Sequence, residues 1–381
     1  MENKKKLNIL VLSWRGPKHP NAGGAEQSTF AHAKGWAKAG YSVTIFTSYY
    51  IGAKSEEYLN GVKIIRRGAQ FLGVQIEAFK WYLFKPHKEF DLVVDEFHGI
   101  PFFTPLYVRT KKLAFIHEVT KEVWRLNSWP WPFNIAASVI GSSIEPLIFK
   151  YLYFNLPFIT VSESTKEDLT SWGIPEKNIS VIQNGFDKPL INKSFKKEQK
   201  KTIIFLGALS EDKGIKDALE TFAILPTHHR NTWQFWIVGK GESHYLEKLK
   251  QKTKKLNLEK SVKFWGYVSE EKKFELLTRS HILINPSIRE GWGLVVIEAA
   301  SVGTPTVGYN VAGLRDSIKN GETGILCDKN PTSCMQAVLS LMSDQKKYRR
   351  LTENCLKWTK QFSWDKSVKK SLMLIEKVAR S

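Results

Sequence analysis

Two glutamates with seven residues between them, Glu290 and Glu298, bracket the part of this chain best suited to chemistry: Asn-Pro-Ser-Ile-Arg-Glu-Gly-Trp-Gly-Leu-Val-Val-Ile-Glu-Ala-Ala at 285–300. The apolar, β-branched run at 281–284 is stopped by Asn285-Pro286 and reads as a buried strand ending in a turn. Gly291, Trp292 and Gly293 follow, and a helix-favouring run begins at Leu294. A strand, a tight glycine loop and a helix N-terminus together offer backbone N–H groups and a positive dipole end, which suit a phosphate. The loop separates the roles of the two carboxylates. Glu290 should lie over a ligand, while Glu298, inside the helix and interrupting its apolar run, should support it from the side. From residue type alone, two solvated surface carboxylates are an equal alternative.

The elements that must hold this stretch can be read in order. A buried-type strand at 6–13 leads through a Gly-, Pro- and Asn-rich loop to Gly23-Gly24-Ala25-Glu26, a helical pattern at 26–39 and a strand at 41–48. This β-α-β unit with a glycine-rich first loop fits a doubly wound domain, without the Gly-x-Gly-x-x-Gly fingerprint of a dinucleotide site. Further strands are expected at 61–67, 90–95 and 112–116. They deliver Asp95-Glu96-Phe97-His98 and His117-Glu118 to strand carboxyl ends, where ligands of open α/β sheets collect. A strand at 158–161 and a helix capped by Ser162 or Ser164 follow. A short strand at 180–183 then ends in Asn184-Gly185-Phe186-Asp187.

The charged, aperiodic segment 188–201 reads as a linker. The same pattern then restarts, with a strand at 202–206, a turn at 207–214 containing Lys213, and helices and strands alternating up to 285–300. A turn at 320–324 reads as hairpin-like, and the last helix begins near Ser363.

Composition sets bounds. A length of 381 residues suits two domains, and 13 Trp and 22 Phe supply ample core material. Cys327, Cys334 and Cys355 are odd in number and lack metal-ligand spacing, which fits a reducing cytosol. The charged start runs straight into a strand, without a secretory signal. No uninterrupted apolar stretch reaches the roughly 18 residues of a spanning helix. The net charge of +20 therefore points to an anionic membrane surface, nucleic acid or a phosphorylated ligand, or equally to a lysine-rich solvated surface. No nucleic-acid motif appears, and no nucleic-acid partner is expected. Residues 124–153 join an aromatic–proline loop to an amphipathic pattern judged too polar to span. It reads either as a helix packed within its domain under a lid-like loop or as a segment dipping into a membrane interface.

Segment 285–300 resembles the Glu-x7-Glu signature of the retaining glycosyltransferases of family 4, which have the GT-B fold. The resemblance extends over nearly the whole chain and is stronger in the C-terminal half. It implies an α/β architecture of two facing Rossmann-like, doubly wound domains with a final helix crossing back to the first. The expected bounds are 1–187 for the acceptor-binding domain, 188–201 for the linker, 202–361 for the nucleotide-sugar domain and 362–381 for the crossover helix. By resemblance, Glu290 contacts donor sugar hydroxyls, Glu298 contacts the ribose, and the amides of Gly291, Trp292, Gly293 and Leu294 hold the diphosphate. Lys213 and the turn at Gly207 also face the diphosphate, while Tyr267 and Val268 hold the nucleobase by backbone groups. Gly23, Gly24 and Glu26 open the acceptor side, and His117, less firmly His98, approaches the reaction centre.

One departure stands out. Ala208 occupies the place where the family has an arginine, and Arg289 is the candidate substitute. With no Asp-x-Asp motif, neither an obligatory metal nor a cofactor is expected, and Lys213 and Arg289 would neutralise the leaving diphosphate. The implied reaction moves a hexose-type sugar from a UDP-, GDP- or ADP-linked donor to a sugar, glycan or lipid-linked hydroxyl acceptor, with retention. It would take place in the cytoplasm or peripherally at an anionic membrane face. A nucleotide-sugar epimerase and a catalytically silent binding member are the alternatives.

Overall fold

The computed structural model describes residues 6–97, 100–126, 132–189, 195–229 and 231–381. The chain forms two compact units: 1–124 with 129–185 and 362–381, and 186–361 with 125–128.

In the first unit the order is β1 (Asn8–Ser13), α1 (Gly24–Lys38), β2 (Ser42–Thr47), β3 (Glu56–Leu59), β4 (Val62–Arg66), α2 (Leu72–Phe84), β5 (Leu92–Phe97), α3 (Thr104–Tyr107), β6 (Lys111–Ile116), α4 (Phe133–Ile148), β7 (Phe158–Thr160), α5 (Glu163–Ser171) and β8 (Ile179–Val181). The strands lie in the order β3-β4-β2-β1-β5-β6-β7-β8. All neighbours are parallel except β3 and β4. Strands covered on both faces read as unbroken apolar runs, as Ile9–Leu12 and Leu92–Val94 do. The antiparallel β3–β4 pair turns at Asn60-Gly61, where both residues have positive φ (50° and 84°). This Asn-Gly hairpin was legible in the sequence, although only β4 was expected.

The second unit runs β9 (Lys201–Leu206), α6 (Ile215–Ala223), β10 (Trp233–Val238), α7 (Ser243–Lys255), β11 (Val262–Gly266), α8 (Glu270–Arg279), β12 (Ile282–Asn285), α9 (Leu294–Ala300), β13 (Thr306–Tyr309), α10 (Leu314–Ser317), β14 (Gly324–Cys327), α11 (Pro331–Ser343) and α12 (Gln345–Trp358). Its strand order is β11-β10-β9-β12-β13-β14, parallel throughout. In each sheet the winding reverses beside the first strand, at β1/β5 and at β9/β12. Ligands of open α/β sheets gather at the carboxyl ends of such pairs.

The last helix, α13 (Trp364–Arg380), belongs to the first unit. Ser363 caps it by accepting from the Lys366 amide. Ser371 Oγ accepts from Trp36 Nε1 at 2.9 Å and lies 2.8 Å from His32 Nδ1, tying α13 to α1. Burial pushes His32 down to about 4, so it is a neutral core residue.

Several expectations need correction. β5 ends at Phe97, so Asp95 and Glu96 lie inside the strand, and His98 lies outside the described residues. In the expected linker, Lys197 donates to Ser280 O at 2.5 Å and to Thr304 Oγ1 at 2.8 Å, and Glu198 pairs with Arg279. That stretch is therefore anchored to the second unit. The turn at 320–324 leads into a parallel edge strand, since β14 pairs parallel with β13.

Within segment 124–153, residues 127–131, with the expected lid-like loop, lie outside the described residues, and the helix that follows is not packed on all sides. α4 continues through a π-type turn at Phe149–Tyr153, and Asn134–Tyr153 is, by length and composition alone, long and apolar enough to cross a membrane. One edge is fixed to the domain. Glu145 accepts from the Thr120 amide and from Trp124 Nε1, both at 2.8 Å, and the Trp124 ring lies on Gly141.

The docking of α13 makes a testable demand. A Cβ on Gly35 would come within 2.3 Å of the Val368 side chain. Gly35→Ala should cost about 1–3 kcal/mol, as overpacking does, and Val368→Ala should restore much of the loss. Thermal melts of the single and double variants check this, and an unaltered Gly35→Ala melt would contradict the close approach.

Candidate active site

In the second unit, the loop after β9 and the loop after β12 meet at the switch point. Ile288 N donates to Asp212 O at 2.9 Å. Gly214 sits at φ 69°, and a Cβ there would fall 2.0 Å from Pro286 O. On the far side, Gly313 sits at φ 76°, and a Cβ would lie 2.0 Å from Glu290 O. At these two positions a side chain would meet both backbone strain and direct collision. The glycines thus clamp the 286–290 loop from both flanks.

Held in this way, Glu290 projects its carboxylate to Lys213, with Nζ–Oε2 at 3.1 Å, and accepts from Ser287 Oγ at 2.8 Å. The cation and the carboxylate come from different loops, and folding brings them together. Lys213 also lies 3.8 Å from Asp212. Arg289 is buried in the same loop, as are Gly291, Trp292 and Gly293. Gly293, at φ 77°, caps α9, which has only seven residues. A helix of two turns carries a small dipole, so the side-chain charges must carry most of any anion stabilisation.

Glu298 is buried and paired with Lys273 at 2.7 Å. Burial pushes its carboxyl up, and the Lys273 charge opposes that rise. Lys273 also pairs with Glu270 at 2.8 Å. Sequence reasoning missed Lys273, since nothing local in the helix preceding the strand points its side chain at Glu298. Gly207 leads the β9 loop and donates to Val238 O, Tyr267 is exposed beside Lys240, and Val268 follows it.

The first unit has its own cluster at the carboxyl ends of β1, β5 and β6. Gly23 is the N-cap of α1, which begins at Gly24. Glu26, three residues on, accepts from the Gly23 amide at 2.6 Å and from Arg15 Nε at 2.7 Å. Glu26 therefore serves the helix cap and the Arg15 pair. His117 is buried, with Nε2 3.1 Å from Thr29 Oγ1 and 3.5 Å from Glu96 Oε1.

Glu96 was not singled out from sequence beyond its place in an acidic strand end. It is fully buried, and burial pushes its carboxyl up to about 8, with Arg15 opposing and Glu26 reinforcing the rise. Its neighbour Asp95 is structural: it accepts from the Phe102 and Thr104 amides, the Thr104 hydroxyl and Tyr153 OH. Among the described residues no group of three or more His, Cys, Asp or Glu is placed to hold a metal ion.

Two Rossmann-like parallel sheets and a C-terminal helix define the GT-B fold class. The solved sucrose-phosphate synthase of Thermosynechococcus elongatus superposes with a TM-score of 0.81, at 19% identity over 99% of this chain and 100% of that one. Anabaena HepE, solved in complex with UDP and glucose, gives 0.73, at 17% identity over 97% and 100%. Residues 187–358 match the family model described as glycosyl transferases group 1, and residues 22–188 match that of glycosyltransferase family 4. An uncharacterized glycosyltransferase of Methanocaldococcus jannaschii is 26% identical over 96% of this chain and 97% of its own length. The two matched regions together run from residue 22 to residue 358 and support a group 1 glycosyltransferase family for the chain.

The buried acid yields a prediction with a definite sign. Glu96 holds a proton in the folded chain up to about pH 8, whereas an unfolded glutamate releases it near 4.5. The folded state thus binds the extra proton, and this stabilisation is complete below about pH 4.5 and lost as pH rises through about 8. Glu96→Gln cannot ionise and should flatten the fall of melting temperature across that window. An equal slope in both proteins would show that Glu96 ionises normally.

Proposed function

We propose that this glycosyltransferase moves a hexose-type sugar from a nucleoside-diphosphate donor to a hydroxyl acceptor with retention of anomeric configuration. The observation that carries the reading is the Lys213–Glu290 pair, presented by two loops at the sheet's switch point and fixed by Gly214 and Gly313. A lysine here offers a cation to a departing diphosphate, where negative charge grows in the transition state. The carboxylate beside it accepts hydrogen bonds from sugar hydroxyls, and Ser287 holds it in place.

In this reading a bound donor diphosphate takes over Lys213, which frees Glu290 for the sugar. Arg289 supplements the positive charge that Ala208 does not provide, and the amides of 291–294 complete the phosphate contacts. Glu298, aligned by Lys273, takes the ribose hydroxyls, and Tyr267-Val268 offers backbone groups to the base. On the first unit, His117 is positioned by Glu96 and Thr29, and Gly23, Gly24 and Glu26 shape the acceptor side. Front-face attack, with the leaving phosphate accepting the acceptor's proton, needs no protein nucleophile. A UDP-linked donor is a natural first choice, since a relative of this fold was solved with UDP.

Three measurements test the proposal. Thermal-shift titration with UDP, GDP and ADP should show one nucleotide stabilising the chain; no response to any of them would remove the donor site. Lys213→Ala should weaken binding of that nucleotide by about ten- to a hundred-fold, the range of a charge-assisted contact; an unchanged affinity would discredit the diphosphate assignment. Glu290→Gln should leave nucleotide binding within a few-fold while turnover of the matching nucleotide sugar falls by about a hundred-fold or more. Retained turnover would take Glu290 out of the site.

A further inference from the structure

One face of the first unit's sheet carries α2, α3 and α4. Leu10, Leu12, Phe46, Ile65 and Val93 pack beneath Val74, Ala78 and Trp81 of α2. On the same face, Phe97, Ala114 and Ile116 pack beneath Phe149 and Tyr153, where α4 continues. Asp95, on the strand between Val93 and Phe97, joins the two ends of this layer by binding both Thr104 of α3 and Tyr153. The layer is continuous on its outer side too, since Tyr107 of α3 stacks edge-on against Phe79 of α2 at 5.1 Å.

The outward surface of this layer is apolar in a regular pattern. On α2, Leu72, Ile76, Phe79 and Leu83 are exposed at steps of four, three and four residues. On α4 and its continuation, Ile140, Ile144, Leu147 and Tyr151 are exposed at the same steps. Each set forms one stripe along its helix, and Leu106 of α3, 67% exposed, lies between them in the layer. Scattered exposed apolar residues need no explanation, but two parallel stripes bridged by a third helix do.

Charge identifies the occupant. Each of the three helices carries, or is followed by, basic residues at its C-terminal end. Those residues are Lys85, Lys88, Arg109, Lys111 and Lys150, all exposed. The acids of the same segments do little to offset them: Glu77 pairs with Lys80, and Glu145 is buried against Thr120 and Trp124, leaving Glu89. An apolar surface edged by cations matches a bilayer with anionic headgroups, which takes apolar side chains into the acyl boundary and lysines at the phosphate level.

We infer that the α2–α3–α4 face of the first unit docks the protein peripherally on an anionic lipid bilayer. The inference stands on this surface alone and does not require the transfer reaction.

Co-sedimentation of the full chain with phosphatidylcholine vesicles, with and without phosphatidylglycerol, tests it. The wild type should sediment with the phosphatidylglycerol vesicles and be released by salt. Ile144→Glu/Leu147→Glu and Lys111→Glu/Lys150→Glu should each weaken that binding by about tenfold or more. All four positions are exposed, so native melts are expected; if the apolar pair melts abnormally, Ile144→Ser/Leu147→Ser replaces it. A wild type left in the supernatant, or variants that sediment like it, would overturn the inference. So would light scattering that finds a wild-type dimer split by Ile144→Glu/Leu147→Glu, since a second copy would then cover the face.

Discussion

Two glycines set the geometry on which the second unit's candidate site depends. Gly214 and Gly313 bring backbone to within contact distance of Pro286 and Glu290, one from the β9 loop and one from the turn before α10. Neither approach tolerates a Cβ, and both residues adopt positive φ, which β-carbon-bearing residues reach only at a cost of about 1–2 kcal/mol. A loop fixed on both flanks loses little conformational freedom when a ligand arrives. The Lys213–Glu290 pair is accordingly ready before binding, and ordering costs are low.

The first unit solves a different problem, that of keeping polar chemistry in a dry place. Glu26 discharges its burial through the α1 cap and Arg15, and Asp95 does so through two amides and two hydroxyls. Glu96 lacks that many donors and responds by holding its proton, so a neutral acid stands beside the His117 imidazole. A histidine in such surroundings has an orientation fixed by Thr29 and Glu96 rather than by solvent. The opposite surface of the same sheet layer shows the reverse economy, with apolar stripes on α2 and α4 left facing outward.

Much of this organisation was legible from the residues. The alternation of apolar runs and helical patterns gave two doubly wound units, because parallel strands buried on both faces leave an unmistakable composition. Ser162 and Ser363 could be read as caps, since each precedes a helical run, and each accepts from an amide three residues on. Other features were harder to see. The β3–β4 hairpin was missed despite its Asn60-Gly61 signal because β3 is short and polar. The end of β5 was misplaced because Asp95 and Glu96 look like loop residues, and only their buried partners show why a strand can hold them. Lys197 looked like linker charge, yet it is half-buried and donates to the carbonyl of Ser280.

The sequence by itself determined the two sheets, the order of their elements and the glycine-flanked glutamate loop, since periodicity and turn chemistry are local properties. It also supplied Lys213 and Glu290 as separate candidates, 77 positions apart in the numbering. Only the tertiary structure decided that their charged atoms meet, that Glu298 is held by Lys273, and that Glu96 rather than Asp95 faces His117. It alone decided, too, that the helix after His117 turns its apolar stripe outward. Pairing across distant segments, and burial, depend on which loops the sheet brings side by side, and no run of neighbouring residues encodes that.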